Sequence, residues 1–276
     1  MMKKRKAKHN RRGKTWLAIV LCLAVLVAVG LQIRKAPPGG GGTTETTQPG
    51  QTLPPNLYGP EDFSYDSNGF LTCSAGETAL GIDVSHHQGN VDWAQVKAAG
   101  VEFVMVRLGN RGYSTGGLST DRYALQNLAG ARAAGLKVGA YFYSQAISVE
   151  EAREEAELAL EILDSFPLDL PLAYDWEQEE RTADISARML TDCTLEFCRT
   201  VAAAGYRPMI YFNTHQAVEL LYLQELTEYP WWLALYDGKM TFPYRMDMWQ
   251  YTQTGSVPGI AGNVDINLLF TENWLY

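Results

Sequence analysis

The run Lys137-Val138-Gly139-Ala140-Tyr141-Phe142-Tyr143, then a helical pattern over residues 149–163, then Leu172-Ala173-Tyr174-Asp175-Trp176, decides the fold. Two short apolar, β-rich runs joined by a helix-length segment make a parallel βα unit, because antiparallel neighbours need only a tight turn between them. Ser148 with Glu151 three residues later marks the helix start as a capping box. The same rhythm extends outward in both directions. Strands are expected at 79–84, 103–108, 137–143, 172–176 and 207–212, with helices at 92–99, 121–134, 149–163 and 185–204. Gly100, Gly135 and Gly205 each sit just past a helix end, where a left-handed residue closes the last turn.

Beyond residue 212 the rhythm changes. Strands expected at 232–236, 245–251 and 264–270 leave connectors at 237–244 and 252–263, the first too short for a crossover helix, so at least one of these strands is expected to run antiparallel. Five βα-type strands and three with short connections make eight, in fewer residues than the roughly 250 of a full TIM barrel. The expected fold class is therefore α/β, a trimmed TIM-like (β/α)5(β)3 barrel. An open doubly wound sheet is the competing reading, disfavoured because no GxGxxG or phosphate-binding loop follows any strand.

The N-terminal third carries an address rather than a fold. Residues 1–15 hold eight Lys and Arg and no acid, and 16–33 run without a charge for a length of roughly 27 Å as a helix, enough for a bilayer core. Positive charge before the span keeps the tail cytoplasmic and sends the rest outside, which predicts a single-pass signal-anchor in the cell membrane. A cleaved signal peptide with a secreted product is the alternative, although no clear small-residue cleavage site precedes Arg34 and Lys35. Residues 34–60, with Pro37-Pro38, Gly39 to Gly42 and Pro54-Pro55, read as a flexible linker. A pre-domain segment, 61–78, is expected to add a strand or a pad on the barrel floor, and 79–276 are expected to form the barrel domain.

The formal net charge of −8 conceals this asymmetry: after Lys35 the chain holds 13 basic and 31 acidic residues, a net −18. Such a body cannot neutralise phosphates, which excludes nucleic acid as a partner. Outside the span the cysteines are Cys73, Cys193 and Cys198, an odd number, and five-residue spacing puts Cys193 and Cys198 about 140° apart on a helix, so no bridge between them is expected. The acids of 150–161 read as a solvated helix face.

In barrels of this kind the reacting groups stand at the carboxyl ends of strands. Acids there are Asp83, Asp175, Glu177 and Asp265. Asp175 and Glu177 share a face, with Cα atoms roughly 6.6 Å apart, and two close carboxylates raise one another's pKa so that one keeps a proton as general acid. Glycoside hydrolysis needs that arrangement.

Gly81-Ile82-Asp83-Val84-Ser85-His86-His87-Gln88-Gly89, Val138-Gly139-Ala140-Tyr141-Phe142-Tyr143-Ser144, Tyr174-Asp175-Trp176-Glu177 and Trp249-Gln250-Tyr251 together resemble the glycoside hydrolase family 25 lysozymes, N-acetylmuramidases that cut peptidoglycan. The resemblance runs from about Gly81 to the C-terminus and keeps the motifs in family order. It implies a (β/α)5(β)3 barrel, a general acid at Glu177, and further active-site carboxylates at Asp83, Asp175 and Asp265. It also implies cleavage of the β-1,4 bond between N-acetylmuramic acid and N-acetylglucosamine with retained configuration. Either a carboxylate, Asp83 or Asp175, attacks the anomeric carbon, or the substrate's own 2-acetamido oxygen does so with Asp175 orienting it; the Asp-x-Glu pattern favours the second. A chitinase-like endo-N-acetylglucosaminidase and a non-catalytic peptidoglycan-binding module are the alternatives.

Tyr141, Tyr143, Tyr211, Trp232, Tyr236, Trp249 and Gln250 are the candidate substrate-binding residues, the rings serving either as sugar platforms or as core. Arg107, inside an apolar strand, is expected to pair with one of the four acids. His86 and His87 face opposite sides of an extended chain, and His87 is expected to position the loop after Asp83; no metal and no cofactor is expected. The expected partners are glycan strands and, through the span, the membrane, with a monomeric catalytic domain.

Overall fold

The computed structural model describes residues 52–236 and 238–271. A hairpin of β1 (Phe63–Tyr65) and β2 (Leu71–Cys73) comes first. The alternating part follows: β3 (Thr78–Val84), α1 (Trp93–Ala98), β4 (Phe103–Arg111), β5 (Leu118–Thr120), α2 (Ala124–Ala133), β6 (Lys137–Ser144), α3 (Val149–Leu163), β7 (Leu172–Trp176), α4 (Ala187–Ala203) and β8 (Pro208–Asn213). After a π-turn at Gln216–Leu220 come β9 (Trp231–Ala234), β10 (Met248–Gly255) and β11 (Val264–Phe270). Ser148 and Ser186 cap α3 and α4 by accepting from Glu151 N and Met189 N, and Gly100, Gly135 and Gly205 all take positive φ, as their places in the sequence predict.

Among the described residues the sheet closes in the order β3-β11-β10-β9-β8-β7-β6-β4, with β4 pairing back onto β3. This is the eight-stranded barrel expected, and β5 is a short antiparallel flap on β4. The antiparallel strand is β11, which opposes both β10 and β3. The connection with too little room for a helix does something else: β9 and β10 pair in parallel. The strand expected from residue 245 in fact starts at Met248, because the Arg245 amide bonds Pro54 O and the Asp247 carboxylate accepts from Trp231 N at 2.8 Å. Residues 235–247 therefore have length enough to return along the barrel wall.

Side chains on alternate strand positions point inward and stack in layers. Ala79, Phe103, Met105, Met209, Met248 and Leu269 make an apolar floor, and polar groups take the level above, at the carboxyl ends. Two glycines make room for this floor. A Cβ on Gly81 would lie 2.1 Å from the Phe103 ring, and one on Gly139 would lie 2.4 Å from Met105 Sδ. The outer faces of the first strands are covered by α1 to α4, through Val96, Leu128, Ala156 and Phe197 among others.

Among the described residues β9 to β11 have no such helices, and the segment before β3 covers β10 and β11 instead. Phe63 meets the Trp249 ring edge-on at 5.0 Å, Tyr58 stacks on Phe270 at 4.6 Å, and Leu71 N donates to the Tyr251 hydroxyl. The segment thus pads the barrel's side rather than its floor. The stretch read as linker likewise reaches the fold before its expected end: Asn56 N donates to Pro243 O at 2.9 Å and Asn56 Nδ2 to Phe242 O at 2.9 Å. Expectations for the cytoplasmic tail, the span and the first part of the linker lie outside the described residues, among which no helix is long and apolar enough to cross a membrane. Cys73, Cys193 and Cys198 are free thiols.

Candidate active site

The inward phase of each strand brings the predicted acids to one place. Asp83 ends β3, Asp175 lies in β7, Glu177 follows Trp176 at its end, and Asp265 sits in β11 opposite Asp83. All four line one cleft with Tyr141, Tyr143, Tyr211, Trp232, Tyr236 and Gln250. Trp249 is the exception. Met248 and Gln250 face inward, so the residue between them must face out; Trp249 is 0% exposed and donates its indole N–H to Leu235 O at 2.8 Å on the outer wall. It belongs to the core and not to the cleft.

Asp83, 4% exposed, is held by a converging set of donors. Its Oδ2 accepts from Gln250 Nε2 at 2.7 Å and from Asn267 Nδ2 at 2.8 Å. Each amide is aimed in turn. The Tyr211 and Tyr236 hydroxyls donate to Gln250 Oε1 at 3.0 and 2.5 Å, and Trp232 Nε1 donates to Asn267 Oδ1 at 2.8 Å. Three of the rings expected as sugar platforms or core therefore also serve as hydrogen-bond donors that fix the rotamers of two amides. Asn267 was missed in the sequence; its signal is Asp265-x-Asn267, period two, on the strand already carrying an acid.

Burial raises the pKa of all four acids, and neighbouring carboxylate charges add to the rise in Asp175, Glu177 and Asp265. Asp83 is raised by burial in spite of its three side-chain hydrogen bonds. Burial first, then the Asp83 charge and a hydrogen bond with it, pushes Asp265 up to about 8. Burial, then Glu177 and Asp83, raises Asp175 well above the ordinary carboxylate range. Burial, then Glu179 and Asp83, raises Glu177. Among the described residues Asp175 Oδ1 is buried with no hydrogen-bond partner, although Asp175 lines the cleft.

Arg107 also lines the cleft, but its partner is none of the four acids. It donates from Nε and Nη2 to Asp121 Oδ2 at 3.0 and 2.8 Å, and it contacts His86 Nδ1. Asp121 is buried, yet the amides of Tyr123 and His86 and the Arg107 guanidinium keep its pKa below the usual range. His86 stacks on His87 at 4.1 Å, and His87 lines the cleft with its pKa lowered by burial and by His86 and Arg107. No group of three metal-ligating side chains occurs among the described residues.

The acidic face of α3 also departs from expectation. Glu155 is 0% exposed, bonded to Arg111 Nε at 2.8 Å and to Ser144 Oγ at 2.5 Å, and burial pushes its carboxyl up to about 7. Helical periodicity alone cannot mark one Glu in a Glu-rich helix as buried, because its partners come from β4 and β6.

These shifts carry a consequence for stability. An acid with a raised folded-state pKa holds its proton where the unfolded chain has lost it, so the native state binds more protons and stability falls as pH rises. For Asp83, Asp175, Glu177, Asp265 and Glu155 the window opens near the ordinary values of 3.8 and 4.5, and Asp265 carries it to about 8. Asp121 and Glu151 are shifted down and work in the opposite sense, costing stability only below about 4. Thermal scans should therefore give a higher Tm at pH 5 than at pH 8, with a flatter slope in Asp265→Asn. A Tm that climbs between those pH values would contradict the protonated cluster.

The model of glycosyl hydrolases family 25 matches residues 82–260. The chain is 30% identical over 203 residues to the uncharacterized protein YegX of Escherichia coli strain K12, covering 70% of each. It is 30% identical over 189 residues to the autolytic lysozyme of Clostridium acetobutylicum, covering 68% of this chain and 54% of that one. The crystal structure of the CTP1L endolysin superposes with a TM-score of 0.59 at 26% identity, over 70% of this chain and 67% of that one. The family match over most of the barrel domain, with 30% identity across 70% of both chains, shows that the chain belongs to the glycosyl hydrolases of family 25.

Proposed function

We propose that this protein is a lysozyme-type muramidase that hydrolyses the β-1,4 bond between N-acetylmuramic acid and N-acetylglucosamine in peptidoglycan, with retention and with help from the substrate's 2-acetamido group. Family membership and the similarity to an autolytic lysozyme support the substrate class. The observation that carries the mechanism is the unpartnered, buried Asp175 Oδ1 beside Glu177. Asp83 is a poorer nucleophile, because Oδ2 takes two amide donors and the carboxyl shares a hydrogen bond with Asp265.

The productive arrangement puts a proton on Glu177 and leaves Asp175 ionised. Protonating Glu177 removes the charge that repels Asp175, and the acetamido N–H offsets the cost of burying the carboxylate. The acetamido oxygen then attacks C1 as the C1–O4 bond breaks, and Glu177 gives its proton to the departing O4. Asp175 holds the N–H and neutralises the oxazolinium charge. Water adds to C1 from the same face, and Glu177 takes a proton from it, restoring the starting state. Tyr141 and Tyr143, in the cleft wall, give apolar faces for the sugar rings.

Mass spectrometry of digested peptidoglycan tests this reading. Fragments ending in reducing muramic acid are expected; reducing glucosamine would make the enzyme an endo-N-acetylglucosaminidase, and no products would leave a binding module. The cellular address follows from the basic tail and the apolar run at 16–33, which support a single-pass anchor with the barrel outside the membrane. The protein is then expected to stay with membranes through high-salt washing and to leave with detergent. A mature N-terminus beyond residue 30 would assign a cleaved signal instead.

A further inference from the structure

The Glu177 peptide is bonded to the end of the neighbouring strand, β6. Its carbonyl accepts from Gln145 Nε2 at 2.7 Å, and its amide donates to Ser144 O at 3.4 Å. The preceding carbonyl, of Trp176, accepts from Gln216 Nε2 at 2.6 Å. Ser144 and Gln145 form a pedestal under Glu177, and the pedestal is held from beneath by Glu155. One Glu155 oxygen accepts from Ser144 Oγ; the other accepts from Arg111 Nε and, at 3.4 Å, from Gln145 N. Arg111 is locked by Gly116 O at 2.8 Å and Glu151 O at 2.9 Å. From the other side Arg181 bonds Gln145 O and pairs with Glu151 at 2.5 Å.

Resting on the assignment of Glu177 as the acid, we propose that Glu155 is a positioning residue for it, acting through Ser144 and Gln145. An apolar side chain would fill the same space between α3 and the barrel but would take a carboxyl partner from the buried Arg111 guanidinium. What the carboxyl group adds is a fixed meeting point for three donors, one from β4, one from the last residue of β6 and one from the residue after it, where the backbone leaves the sheet. Glu155 makes no contact with the cleft, so its effect on the reaction has to travel through the pedestal.

Two variants test this on purified peptidoglycan. Glu155→Gln replaces one of the two acceptor oxygens with a donor, and Gln145→Met keeps the volume but removes the donor to Glu177 O without touching an ion pair. Both are assayed only after near-UV circular dichroism confirms a native fold at the assay temperature. Each is expected to lower kcat about tenfold with KM changed less than about twofold, and to move the alkaline limb of the kcat–pH profile, because a displacement well under 1 Å at the acid is enough for that loss. Placed on Glu177→Gln, neither should lower the residual rate further, since the group they position is gone. A tenfold loss repeated on the Glu177→Gln background, or an unchanged kcat in Gln145→Met, overturns the proposal. More than about a tenth of the wild-type rate in Glu177→Gln alone would instead overturn the acid assignment beneath it.

Discussion

Glu177→Gln is expected to lose about 10²- to 10⁴-fold of the rate on purified cell wall while the fold and the affinity for wall stay as they are. The amide matches the carboxyl in shape but has no acidic proton to give to the leaving O4. The position is prepared for that donation: burial and the Glu179 and Asp83 charges raise the Glu177 pKa, so the proton stays in place to higher pH than on an ordinary glutamic acid. On the alkaline side activity should fall as Glu177 ionises, and the variant should lack that limb of the profile. A variant retaining more than about a tenth of the wild-type rate would remove Glu177 from the role of acid, since the lower bound for general acid catalysis is already a hundredfold.

Asp175→Asn should cost about 10²- to 10³-fold in kcat, the range for removing one preorganised electrostatic partner of a developing charge. Asparagine keeps an oxygen that can accept from the acetamido N–H but cannot neutralise the oxazolinium. The unpartnered Asp175 Oδ1 is the group at stake. Because the substituted oxygen still binds the amide, the loss should fall on kcat and leave KM nearly unchanged. If Asp83→Asn proves the more damaging change and a glycosyl adduct can be trapped on Asp83, the reaction runs through a covalent intermediate and the acetamido route fails.

Both experiments turn on residues that could be named before any coordinates. Asp83, Asp175, Glu177 and Asp265 stand out because strand period, strand ends and residue type are local properties, readable along the chain. Trp249 was misplaced for a physical reason. In Met248-Trp249-Gln250 both ring and amide suit a carbohydrate cleft, and alternation allows only one of them inside; which phase faces in is set by closure of the barrel against β9 and β11. The partner of Arg107 was equally out of reach, since Asp121 lies at the end of the β5 flap and approaches only when β4 takes its place in the sheet.

The sequence by itself determined the strand and helix rhythm, the eight-strand count, the family and the four acids, because each is written in spacings of two, in helix-length intervals and in contiguous motifs. Tertiary structure alone decided the rest. It set which strand opposes its neighbours, which amides hold Asp83, that Glu155 leaves the acidic face of its helix to brace β6, and that residues 53–73 cover the wall the missing helices leave bare. Each of these depends on groups far apart in the chain, and a desolvated donor or acceptor finds its partner only when packing brings the two within about 3 Å.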